Sequence, residues 1–312
     1  MNRIAQRQRL GLLAFLTAMC VFFSLGSPYF LTITNLTNIL VQSSVPIVLA
    51  VGMTLVIASA GIDLSVGAIL ALAGIVMAAA MKAGLGVPAG LALGLASGAV
   101  MGALNGACIS LVGISPFIAT LGAAGVYRAA SLIVTEARPI YGLPLGFRAI
   151  GQDGLGPLPW SVLLALAAVG LMQVIAHWTR FGANARAVGD NAVAAYRLGV
   201  SRSGALIGVY TLSGTAAALA SMVVTARLNT AEAIAGLGIE LQAIAAVVMG
   251  GTSFAGGEAR VFGSLLGALL IGVLANGLTL LNVASYYQQL VIGLVFMAAV
   301  LADRVRREAI PD

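Results

Sequence analysis

Hydrophobic and polar positions along the chain separate into long apolar runs joined by short polar segments. The runs cover roughly residues 10–25, 45–62, 66–81, 87–112, 116–135, 160–178, 204–226, 241–251, 261–281 and 289–301. Each reads as a helix that crosses or enters a membrane, so the pattern predicts an all-α polytopic membrane protein with about ten transmembrane helices, a single domain over 1–312. Several runs lie near or below the roughly 20 residues that a perpendicular helix needs, which predicts tilted, re-entrant or partly unwound spans. The first run follows Arg3, Arg7 and Arg9, as the core of a secretory signal peptide would. No Ala-x-Ala-like site follows it cleanly, and it is read as an uncleaved first span.

Composition agrees. With 60% hydrophobic and 8% charged residues and a mean hydropathy of +1.05, the chain cannot present the charged surface that a soluble domain of this size carries. The net charge of +6 raises nucleic acid as a partner, but the arginines stand at segment ends rather than in a basic, aromatic-laced patch. They report topology instead. A cytoplasmic N-terminus puts Arg3, Arg7, Arg9, Arg180, Arg186, Arg197, Arg202, Arg260, Arg304, Arg306 and Arg307 inside, against Lys82, Arg138, Arg148 and Arg227 outside. Ten spans return the C-terminus to the cytoplasm. Cys20 and Cys108 both fall in apolar runs, where they act as small hydrophobes, and the spacing implies no disulfide framework and no metal site.

The segment Ala60-Gly61-Ile62-Asp63-Leu64-Ser65-Val66-Gly67 sets a carboxylate between two apolar runs. One reading is local: Asp63 caps a helix starting near Leu64, accepting the free N–H groups of Ser65 and Val66. The other keeps the cap and adds a broken helix whose end lines a transport path. A second pattern is the row Gly86, Gly90, Gly94, Gly98, Gly102 and Gly106, repeated briefly by Gly263 and Gly267. It predicts close helix packing on a small face, with Asn105 beside it. The arrangement of apolar run, break and apolar run at 45–81 recurs at 241–281, with 250–257 as the second, glycine-rich break.

The longest inside loop, 179–203, contains Gly189, Asp190, Asn191, Ala194, Ala195, Arg197 and Gly199. An N-cap at Asp190 or Asn191, an alanine-rich turn, Arg197 near the end and Gly199 as a stop predict a helix of about two turns. So short a helix needs something to dock on. That is either this protein's own membrane interface or a groove on a partner, into which the small face of Ala192, Ala194 and Ala195 would fit.

These motifs carry a resemblance. The chain resembles the permease subunits of ribose-type sugar ABC importers, within the wider monosaccharide and branched-chain amino acid permease group. The likeness rests on residues 60–67, Asn105-Gly106 with 115–122, the loop 187–199, residues 210–214, 243–257, and Asn276-Gly277-Leu278 with Tyr287-Gln288-Gln289, and it runs from about Asn35 to the C-terminus. Ala60, Gln242 and the 258–260 stretch depart from the usual pattern and leave the substrate open. The resemblance implies a pore subunit of the bacterial inner membrane, without cofactor or catalytic activity. Its partners would be a cytoplasmic ABC ATPase, a second identical or related permease subunit and a periplasmic or lipid-anchored binding protein, all at the membrane and without nucleic acid.

No phosphate-binding loop with its lysine occurs; the spacing from Gly251 to Gly256 lacks it. His177, beside Trp178, reads as an interfacial anchor rather than a proton relay. Residues 189–199 become the ATPase-coupling element of an alternating-access device. Asp63, Ser65, Asn105, Arg128 and Asn276 are the polar candidates for the translocation path, too sparse to grip a sugar firmly. The rival classes are an ion-driven carrier with Asp63 and Arg128 as a coupling pair, and a structural membrane subunit. The solute itself stays open among sugars, nucleosides and small signalling molecules.

Overall fold

The computed structural model describes residues 3–308; the side chains of Arg3, Arg7, Arg9, Arg304, Arg306 and Arg307, used above for topology, lie outside the described ones. The described chain is mostly helical: α1 Arg3–Gly26, α2 Ile33–Ala58, α3 Val66–Lys82, α4 Gly86–Ala107 with a π-turn at Cys108–Val112, and α5 Pro116–Thr135. After β1 (Ile140–Tyr141) come α6 Leu145–Gln152, the hairpin strands β2 (Gly154–Leu155) and β3 (Leu158–Pro159), α7 Trp160–Trp178, α8 Arg180–Asp190 and α9 Ala192–Arg197. The remainder is α10 Arg202–Leu228, β4 (Thr230–Ala231), α11 Ile239–Met249, α12 Val261–Leu280 and α13 Ser285–Glu308.

Every predicted apolar run is a helix, and the boundaries move where capping chemistry overrides hydropathy. Helix α2 starts at Ile33, twelve residues ahead of the apolar run at 45, because Thr32 caps it through Oγ1, which accepts the Asn35 N–H at 3.3 Å. Six helices among the described residues are long and apolar enough to cross a membrane. Helix α11, at 11 residues, extends only about 16 Å at 1.5 Å per residue, about half of a hydrocarbon core.

The core centres on α2 and α3. Leu49, Met53, Leu55 and Ile57 of α2, Ile69, Leu70, Ile75 and Met77 of α3, and Tyr210 of α10 are fully enclosed. Helices apolar on every side belong inside a bundle. Helices α5 and α7 instead turn Phe117, Ile118, Leu121, Ile133, Leu166 and Leu171 outward. Lipid is as apolar as leucine, so burial alone does not hold such a bundle together; close packing and buried polar bonds do.

The glycine row does what its spacing predicts. Gly90 and Gly94 receive Met81 and Met77 of α3, while Gly98, Gly102 and Gly106 lie on the main chain of α10 at Gly214, Tyr210 and Ile207. A Cβ on Gly98 or Gly214 would overlap the other's carbonyl. Gly263 and Gly267 stand likewise against Gly250 and Ala246, seating α12 on α11.

The segments assigned to opposite sides of the membrane gather at opposite ends. At one end β1 pairs antiparallel with β4, Lys82 Nζ donates to the Gly142 carbonyl at 2.9 Å, and Asn229 Oδ1 accepts the Leu143 N–H at 3.0 Å. At the other lie the end of α2, the loop 179–203 and the break 250–260.

Candidate functional site

The break between α2 and α3 is tied down by a knot of buried polar groups. Asp63 Oδ1 accepts the Ser65 N–H at 3.0 Å and the Ser65 hydroxyl at 2.6 Å. Its Oδ2 accepts from Ser213 of α10 at 2.8 Å. Ser65 Oγ in turn accepts from Asn105 Nδ2 at 2.7 Å. The Tyr127 hydroxyl sits between the Met101 carbonyl and Asn105 Oδ1, at 3.0 and 3.1 Å. The Ile62 carbonyl accepts from Tyr210 at 3.2 Å and from Thr120 at 3.3 Å. Asp63, Ser65 and Thr120 are fully enclosed and Asn105 is 2% exposed, so the knot fastens the unwound segment to α4, α5 and α10, with the Ile62 carbonyl satisfied from α5 and α10.

Three of the predicted path residues, Asp63, Ser65 and Asn105, therefore meet in one network. The local capping expectation needs correction. Ser65 is the N-cap of α3, and Asp63 bonds the Ser65 N–H but not that of Val66, because its second oxygen is turned to Ser213. Sequence reasoning missed Ser213, Thr120, Tyr127 and Tyr210. The signal was present, since all four are polar positions inside apolar runs, three of them (Thr120, Tyr210 and Ser213) in stretches that carried the family likeness.

Arg128 and Asn276 lie elsewhere. Arg128 Nη1 donates to the carbonyls of Ala233 and, at 2.8 Å, Ala235, pinning the loop ahead of α11. Among the described residues it forms no ion pair with Asp63, whose bonds go to serines; the coupling pair of the ion-driven alternative is not assembled. Asn276 of α12 exchanges two bonds with Asn35 of α2, each 3.0 Å, with both residues buried. It is a bolt between helices.

The loop 179–203 holds two helices rather than one. Thr179 caps α8 by accepting the Gly182 N–H at 3.1 Å, a signal that the expectation of one short helix overlooked. Asn191, not Asp190, caps α9, accepting the Ala194 N–H at 2.9 Å; Asp190 ends α8. Gly199 stops α9 at φ +81°, in the left-handed region that glycine enters at least cost.

The exposed face of α9 also differs from the small alanine face expected to be free. Ala195 is 2% exposed and packs into the core, whereas Val193, Tyr196 and Leu198 are strongly exposed, beside Ala194 and Arg197. Gly189 lies under this element, where a Cβ would strike the Ala58 carbonyl and Ser59. Gly256, at φ +85°, rests on Gly189 from the other side. Between α8 and the 250–258 break opens a polar groove of about 570 Å³ lined by Arg186, Asp190, Ser253 and Glu258.

The helices of the described residues, a polar knot at a broken span and a capped surface helix beside two breaks define an all-α membrane protein. The chain belongs to the family described as branched-chain amino acid transport system / permease component, which it matches over residues 35–300. It is 42% identical over 299 residues to the ribose import permease protein of Bacillus subtilis strain 168, covering 95% of this chain and 93% of that one. It is 40% identical over 288 residues to the D-allose transport system permease protein of Escherichia coli K12, with 92% and 88% covered. The ribose import permease protein of the same strain is 41% identical over 304 residues, with 95% and 94% covered. No solved structure matches the chain.

Proposed function

We propose that this chain is the membrane-spanning translocation subunit of an ATP-driven importer for a sugar or similar small polar solute, in the bacterial inner membrane. The observation that carries the reading is the near full-length likeness to ribose and D-allose permease proteins. ATP hydrolysis belongs to a separate ABC ATPase subunit on the cytoplasmic side. A second permease subunit completes the path, and a periplasmic or lipid-anchored binding protein delivers the solute. The ten apolar helices cross or enter the bilayer with both termini cytoplasmic.

In this reading α8 and α9 form the coupling element. The ATPase grips the exposed side of α9 and pushes on a part that touches both breaks. Gly189, packed on Ala58 and Gly256 without a side chain between, passes the displacement to α2 and to the 250–260 segment. The Asp63 knot keeps the start of α3 in register with α4, α5 and α10 while α2 moves.

The test is uptake of D-ribose and D-allose into vesicles holding the chain with its ATPase and binding protein. Expected is accumulation that needs internal or external ATP on the ATPase side and survives an uncoupler. Uptake that persists without the ATPase and stops with the uncoupler would reject the reading. For topology, Ala194→Cys and Leu155→Cys should react with an impermeant reagent from opposite faces; reaction from one face breaks the arrangement.

A further inference from the structure

Four glutamines converge in the half of the bundle nearer the β1–β4 end. Gln42 comes from the first half of α2, Gln242 from the first turn of α11, and Gln288 and Gln289 from the first turn of α13. They line two adjoining cavities of about 390 and 270 Å³, which share Gln242, Gln289 and Ile292 as walls. The larger falls within the roughly 300–1,000 Å³ typical of small-molecule sites. Gln288 spends its amide N–H groups on Thr279 Oγ1 at 3.2 Å and the Val283 carbonyl at 2.9 Å, which holds it in place with its carbonyl oxygen free. Gln42, Gln242 and Gln289 make no side-chain hydrogen bond among the described residues.

Gln42 and Gln289 are exposed and Gln242 is half-buried, so three amides on three helices stand open to whatever fills the space, with their hydrogen-bonding capacity unused. The chemistry of the wall narrows it. Each primary amide offers two donors and one acceptor, the same mixed demand that a hydroxyl presents from the other side. Among the described residues no carboxylate or cation lines either cavity, so the wall does not select a charged molecule. Ile271, Gly272, Ala275 and Ile292 supply a small apolar floor suited to the C–H face of a ring.

We propose that Gln42, Gln242 and Gln289, braced by Gln288, form a solute-contacting station for a neutral, polyhydroxylated molecule of monosaccharide size. The proposal rests on the translocation reading above and locates the contacts that Asp63, Ser65 and Asn105, sealed in their knot, do not offer. The sequence alone hid it, because Gln42, Gln242 and the Gln288-Gln289 pair are far apart in the chain and Gln242 stood out only as a departure from the usual family pattern.

The test uses the whole transporter with its ATPase and binding protein, with Cys20 and Cys108 replaced by serine. Gln42→Cys, Gln242→Cys and Gln289→Cys should each react with a small hydrophilic thiosulfonate. Saturating D-ribose or D-allose with ATP should change the rates severalfold, since an occupant shields the thiols. Leu166→Cys, on the outward face of α7, should stay unreactive. In parallel, Gln242→Leu and Gln289→Leu should each lower uptake about tenfold or more, as loss of hydrogen bonds to a hydroxylated substrate does, with ATP hydrolysis stimulated by the binding protein retained. Unreactive cysteines would mark the surface as lipid-facing. Reactivity that sugar and ATP leave unchanged would mark it as a surface the solute does not reach. Either result overturns the station, as does normal uptake by both leucine variants. Failure of ATP-driven uptake in the unsubstituted transporter would strike the translocation reading instead, and the cysteine pattern would still decide whether the cleft is water-filled.

Discussion

The Gly257 N–H donates to the Ala58 carbonyl at 2.9 Å. This bond ties the last turn of α2 to the glycine-rich break ahead of α12, two points that are 199 residues apart in the chain. Gly256 and Gly257 both sit at positive φ, +85° and +86°, and Gly189 fills the space between this pair and Ala58. The proposed coupling element thus meets both breaks main chain to main chain.

Gly189→Ala is expected to force that junction apart. Overpacking of a tight contact costs about 1–3 kcal/mol, so the variant should melt earlier and uptake should fall more than ATP hydrolysis does. Gly199→Ala is the comparison: nothing lies within 4 Å of a Cβ there, and its penalty is confined to the left-handed backbone, about 1–2 kcal/mol. Thermal unfolding and the ratio of solute moved to ATP hydrolysed separate the two. An unchanged ratio in Gly189→Ala means that the junction does not carry the motion.

On α9, position decides the outcome. Ala194→Asp and Tyr196→Asp put a charge on the exposed side, and should leave folding intact while weakening ATPase retention about tenfold or more, the loss expected for an unpaired charge in a contact. Ala195→Asp puts the charge inward and should lower expression and stability instead. Co-purification of the ATPase subunit, set beside monodispersity of the permease, reads both effects. Full retention by both outward variants would mean that the ATPase grips elsewhere.

Asp63→Asn retains an acceptor for Ser65 and should cost less than about 1.5 kcal/mol. Asp63→Leu leaves the Ser65 N–H and hydroxyl and the Ser213 hydroxyl without their acceptor, at about 1–3 kcal/mol for each buried group that finds no other partner. The leucine variant should therefore be much the less stable by chemical denaturation. Equal stabilities would show that the knot is not what holds the break.

Asn35 and Asn276 should behave as one unit. Either alanine substitution strands the other amide in the bundle interior, so the first substitution should cost more than the second. A double-mutant cycle should return about 0.5–3 kcal/mol of coupling. Strict additivity would mean that the reciprocal bonds contribute no net stability.

Much of the fold was legible. Apolar blocks located every long helix, and a glycine every fourth residue from Gly86 foretold the α4 packing face, because both signals act within one turn of their own helix. What escaped depended on partners distant in sequence. Ala195 and Ala194 look alike on paper, and only the placement of α9 on the core turns one inward. Ser213 stood out as a polar position in an apolar run, but lying 150 residues downstream of Asp63 it could not be paired with that carboxylate from the sequence alone. Helix α8 differs: Thr179 is a readable cap, but the polar, glycine-containing sequence after it carries too little hydrophobic pattern to mark a helix.

Helix α4 meets α10 through Gly98, Gly102 and Gly214, with carbonyls packed where side chains would otherwise interleave. Such a seam has no rotamers to exchange. Helices that slide past one another usually do so by letting side chains hop between neighbouring slots, and here the slots are filled by main chain. The pair is a strut of fixed geometry, with the Asp63 knot fastened along its length. Any rocking that opens and closes the passage must pivot beside it, at the unwound stretches, where the chain has kept its glycines.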